Sequence, residues 1–117
     1  MPAEVRRAVG YALDRKGEDV TVLDLRPVSA AATDYFVIAT GRSDLHVRAI
    51  AEHVLDSAKE EGNRPEHVEG MDQGRWVLLD YIDYVVHIFH PAVRDFYRLE
   101  VLWGDAPSFV FAEPDRP

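Results

Sequence analysis

Apolar and polar positions along this 117-residue chain repeat with two periods, and those periods predict most of its elements. Val5, Ala8, Val9, Ala12 and Leu13 recur at three- and four-residue spacing, which predicts a helix over 4–16 ended by Gly17. "VTVLDL" (20–25) and "YFVIAT" (35–40) lack a polar face, as expected of strands covered on both sides. Pro27 keeps the intervening "RPVSAAATD" out of a strand. Val47, Ile50, Ala51, Val54, Leu55 and Ala58 form an unbroken stripe, predicting a helix over 44–61. Ser43 or Asp44 can cap it and Gly62 stops it.

"HVEG" (67–70) predicts a short strand, and "GRWVLLDYIDYVVHIF" (74–89) a strand pair joined near Ile82. Alternation puts Trp76, Leu78 and Asp80 on one face of the first strand and Val77, Leu79 and Tyr81 on the other. Pro91 suits the first turn of a last helix carrying Val93, Phe96, Leu99 and Trp103. The long helical connection over 44–62 permits a parallel crossover, whereas the tight connection at 80–83 demands an antiparallel pair. The expectation is one α/β domain over 1–104, a mixed five-stranded sheet flanked by helices. Residues 105–117, with Pro107, Pro114 and Pro117, are expected to form a largely disordered tail.

Charge narrows the partners. Thirteen basic against twenty-one acidic residues leave a formal charge of −8, which phosphate backbones repel. Glu52, Asp56, Glu60, Glu61, Glu66, Glu69 and Asp72 crowd one stretch against Lys59 and Arg64. Little or no direct nucleic-acid contact is expected, and a basic protein is the natural partner. No apolar run approaches the ~20 residues that span a bilayer, so no membrane role is expected. Zero cysteines remove thiolate chemistry and suit a reducing cytoplasm.

Candidate chemistry is sparse. No Gly-x-Ser-x-Gly elbow and no phosphate-binding glycine loop is present. "TGRSD" (40–44) could form an anion nest at a helix start, but reads more simply as a cap. Paired carboxylates two apart on a strand, as metal-dependent phosphoryl transfer wants, occur only as Glu113 and Asp115 in the tail. His87 and His90 point to opposite strand faces, and His46 and His53 stand two turns apart, so no metal or other cofactor is expected. What remains is Trp76, Asp80, Tyr81, Asp83 and Tyr84, aromatics beside acids, a composition suited to recognising a protein.

"TDYFVIATG" (33–41), "HVRAIAEHV" (46–54), "VEG" (68–70), "WVLLDYIDYVVHIF" (76–89) and "RDFYRLEVLW" (94–103), in that order, resemble the ribosomal silencing factor, or Iojap-like, family. The resemblance implies a nucleotidyltransferase-like fold without catalytic residues. It further implies a translational repressor that binds the large ribosomal subunit through ribosomal protein number fourteen and blocks joining of the small subunit when nutrients are scarce. On this reading the chain is not an enzyme. The competing classes are a nucleotide-binding enzyme using "TGRSD" and a homodimerisation module using exposed aromatics and "SFVF" (108–111). One departure stands out: the family usually has Gly where this chain has Ile82, and a β-branched residue resists positive φ. A longer or different turn is therefore expected there.

Overall fold

The structure, a computed structural model, describes the backbone of all 117 residues and every side chain except those of Phe96 and Asp115. The expected core position of Phe96 and the Asp115 half of the tail pair thus lie outside the described side chains. The elements run α1 (Ala3–Asp14), β1 (Glu18–Asp24), β2 (Tyr35–Thr40), α2 (Asp44–Glu60), β3 (His67–Glu69), β4 (Trp76–Asp80), β5 (Tyr84–Phe89), α3 (Pro91–Tyr97), α4 (Leu99–Leu102) and β6 (Ser108–Phe111). A single 3-10 turn spans Glu113–Asp115.

The sheet is mixed, in the order β3-β4-β5-β2-β1-β6. β2 and β5 are parallel, joined through α2, and every other pair is antiparallel. Six strands form rather than the expected five, and the sixth comes from the tail. "SFVF" pairs with Val20–Leu23, and Arg116 donates to the Gly10 carbonyl at 3.1 Å and to Asp14 Oδ1 at 2.7 Å. The β-branched and aromatic content of those four residues wins over the flanking prolines, because β1 presents a vacant edge.

Helices α1 and α2 cover one sheet face with the predicted stripes. Val5, Val9, Val47, Ile50 and Val54 pack on Val22, Val37, Val77, Val86 and Ile88, all at 1% exposure or less. Ser43 caps α2 by accepting from the His46 N–H at 3.1 Å. The other face carries Leu23, Ile38 and Phe89 beneath Leu99 and Ala106, with Phe36, Trp76 and Trp103 half-buried around them.

The last helix departs from expectation. It breaks at Arg98, whose φ of 47° is left-handed, so Leu99 can turn onto the sheet. Arg94 holds the broken pair down. Its guanidinium donates to the Asp19 carbonyl at 2.7 Å, Thr40 Oγ1 at 2.8 Å and Thr21 Oγ1 at 3.2 Å, and pairs with Glu100. Burial of a charge in this way is tolerable because every donor direction finds an acceptor.

Candidate partner-binding site

β4 and β5 decide which expected site residues come together. Strand alternation sends Trp76 and Asp80 to the face shared with α3 and α4, while Tyr81 and Tyr84 join the core beneath α1 and α2. Tyr81 is 6% and Tyr84 3% exposed, and their rings stack with centroids 4.9 Å apart. The expected partner patch had grouped these two tyrosines with Trp76, Asp80 and Asp83, and the structure instead buries both in the core on the opposite side of the sheet. Tyr84 Oη accepts from Asn63 Nδ2 at 2.8 Å. Tyr81 Oη is buried without a hydrogen-bond partner among the described residues, and desolvation pushes its pKa up to about 12.

Trp76 is held from three sides. Its ring lies 4.9 Å from Phe89, 5.9 Å from His87 and 4.8 Å from Tyr97, centroid to centroid. Its indole N–H donates to His87 Nδ1 at 3.0 Å. That bond fixes the imidazole tautomer, so His87 carries its proton on Nε2, which is buried without a partner among the described residues. Burial pulls the His87 pKa down to about 4, with the carboxylate of Asp80 opposing. His87 is thus a neutral acceptor orienting the indole, which answers why an imidazole interrupts an apolar strand.

Asp80 and Asp83 flank a tight turn. Asp80 Oδ1 accepts from the Ile82 N–H at 2.8 Å, and the Asp83 N–H donates to the Tyr81 carbonyl at 2.9 Å. No longer turn forms to relieve Ile82. It adopts a φ of 74° all the same. Asp80 is half-buried on the Trp76 side of β4, and Asp83 is exposed in the turn beyond it.

Sequence reasoning missed Tyr97, Val101 and Leu102. These are 49%, 71% and 71% exposed on the broken last helix, and the Tyr97 ring packs against Trp76 at a 46° tilt. The signal was present in "RDFYRLEVLW", but a continuous helix would have turned these residues differently.

Part of the alternative site at residues 40–44 is taken up by the chain's own helix cap. Ser43 Oγ takes the His46 N–H, His46 Nδ1 takes the Arg42 N–H at 2.9 Å, and the Ser43 carbonyl takes the Val47 N–H at 2.9 Å. Asp24, 8% exposed, is consumed by Arg26, whose hydrogen bonds at 2.7 and 2.9 Å hold its carboxyl below the usual range. Among the described residues no cluster of histidine and carboxylate side chains could hold a metal ion, and no helix is long and apolar enough to cross a membrane.

The family model described as "Ribosomal silencing factor during starvation" matches residues 1–116. The chain belongs to the ribosomal silencing factor family. It is 49% identical to the ribosomal silencing factor of Bacillus subtilis over 94 residues, 80% of this chain and 79% of that one. Against the ribosomal silencing factor of Halalkalibacterium halodurans the identity is 45% over 101 residues, 86% of each chain. The crystal structure of a Chromobacterium violaceum protein superposes with a TM-score of 0.82 at 39% identity, covering 89% of this chain and 88% of that one. The resemblance carried by "TDYFVIATG" and "WVLLDYIDYVVHIF" is thereby established as kinship, and the mixed α/β architecture with it.

Proposed function

We propose that this chain silences translation by binding the large ribosomal subunit through ribosomal protein number fourteen and obstructing joining of the small subunit. Membership in a family of ribosomal silencing factors supports a ribosome-associated, regulatory role. The observation that carries the finer reading is Trp76. It is a large aromatic kept half-exposed and oriented by His87, with Tyr97 beside it, Asp80 at the other end of the same side of β4 and Asp83 in the turn that follows. Oriented aromatics in an open patch are the usual anchors of protein recognition, and acidic neighbours steer basic partners toward them. Trp76, Tyr97, Asp80 and Asp83 form the proposed contact, while Tyr81 and Tyr84 support it from the core. The formal charge of −8 favours a basic protein over rRNA as the direct contact. The same reading makes the chain a cytoplasmic regulator and not an enzyme.

The test is sedimentation with purified large and small subunits, followed by calorimetric titration with the isolated ribosomal protein. Binding to large subunits alone, and to the RNA-free protein, is expected. Binding that requires rRNA, or that is equal for both subunits, would overturn the proposal.

A further inference from the structure

The turn joining β4 to β5 contains a residue that burdens the backbone and adds little to the fold. Ile82 has a φ of 74°, and the hydrogen bond from the Asp83 N–H to the Tyr81 carbonyl closes a γ-turn around it. A β-branched side chain is strained there, and such residues persist only where their surroundings over-determine them. The surroundings do so. The Ile82 N–H is held by Asp80 Oδ1, its carbonyl accepts from Thr33 Oγ1 at 2.8 Å, and the Asp83 carbonyl accepts from the Asp34 N–H at 3.1 Å. Glycine would take the same φ without strain. The Ile82 side chain is 61% exposed, so core burial does not account for it.

What the side chain does is line a cavity of about 420 Å³ together with Leu25, Ala31, Phe36, Val85 and Trp103. The walls are apolar and the surroundings acidic. Asp80 lines the cavity, the exposed Asp83 follows Ile82, and the exposed Asp34 is brought beside Asp83 by a bond from its backbone N–H to the Asp83 carbonyl. The cavity opens on the face of Trp76, because Asp80 and Trp76 share one side of β4 and the Phe36 ring meets both His87 (4.5 Å) and Trp103 (6.0 Å).

We infer that this cavity is a socket, with Ile82 as its lip, for a large apolar side chain on a basic segment of the ribosomal protein partner. Asp34, Asp80 and Asp83 pair with the Lys or Arg residues flanking that side chain. The inference rests on the ribosomal reading above and adds to it the chemistry of the segment recognised. Ile82 is then the specificity-determining residue of this chain: its strain is retained because its side chain is spent on the partner.

The experiment compares wild type, Ile82→Gly and Ala32→Trp, the last placing bulk at the cavity wall. Each is melted alone, then titrated against the isolated ribosomal protein number fourteen and sedimented with large subunits. Ile82→Gly should melt roughly 2–6 °C higher, as relief of backbone strain predicts. It should nevertheless bind about tenfold more weakly, as loss of one buried aliphatic contact predicts. Ala32→Trp should weaken binding at least as much. A lower melting temperature for Ile82→Gly would make its side chain structural and overturn the socket, as would wild-type affinity in either variant that melts as a folded protein. If wild type is a dimer that Ile82→Gly dissolves, the occupant is a second copy and the inference falls. If wild type binds no large subunits, the ribosomal reading itself falls, and the socket with it.

Discussion

Acidification from pH 7 to pH 5 should destabilise this protein chiefly through one imidazole. His87 is 4% exposed, its Nδ1 accepts the Trp76 indole N–H, and burial pulls its pKa to about 4. In the unfolded chain it titrates near an ordinary histidine value of ~6.5. Between these values the unfolded state binds the proton and the native state does not, so stability rises with pH across this window and is lost as pH falls through it. Integrating the difference gives a loss of about 2 kcal/mol from pH 7 to pH 5, approaching about 3 kcal/mol below the folded pKa. Protonation also converts Nδ1 to a donor facing the indole N–H, so charging the ring breaks the bond that orients Trp76. Carboxylates held low, such as Asp24 beside Arg26, release their contribution only at lower pH, which leaves the window to histidine. Urea unfolding at the two pH values, followed by tryptophan fluorescence, reads this directly. In His87→Gln the amide oxygen can still accept from Trp76, while nothing titrates, so its stability should change far less over the same interval. Equal losses in wild type and variant would refute the assignment, because the proton uptake would then belong to another group.

Three further outcomes are expected. Trp76→Ala should weaken binding to large subunits by about thirtyfold, roughly 2 kcal/mol, in an affinity titration, with the variant's unfolding midpoint measured alongside to separate lost contact from lost fold. Arg94→Ala should cost about 2–4 kcal/mol in urea unfolding, because it strands Glu100 and the hydroxyls of Thr21 and Thr40 and frees α3 and α4 from the sheet. Asp83→Lys should slow association with the isolated ribosomal protein more than Asp83→Asn in stopped-flow at low salt, and the difference should shrink as salt is added.

Local pattern alone was enough for α1, α2 and the strands from β1 to β5, since each carries its burial code within its own few residues. The stripe from Val47 to Ala58 has the period of a helix whatever it packs on, and Ser43 caps it through a bond three residues long. The motifs from "TDYFVIATG" to "RDFYRLEVLW" were likewise enough to identify the family. Alternation also divided β4 correctly into a Trp76–Asp80 side and a Val77–Tyr81 side. It could not say which side the long helices cover, and that decided the fate of Tyr81 and Tyr84. Covering is a contact between segments far apart in sequence, and no local period encodes it. The break at Arg98 has the same origin, because it depends on Arg94 reaching β1 and β2 and on Leu99 turning onto the sheet. So does β6, whose partner strand lies near the other end of the chain. Ile82 is the sharpest case. Its own chemistry argues against positive φ, and its bond to Asp80 is local, but Thr33 and Asp34 arrive from another loop only once the sheet has formed. Together they impose the conformation that the residue by itself would avoid.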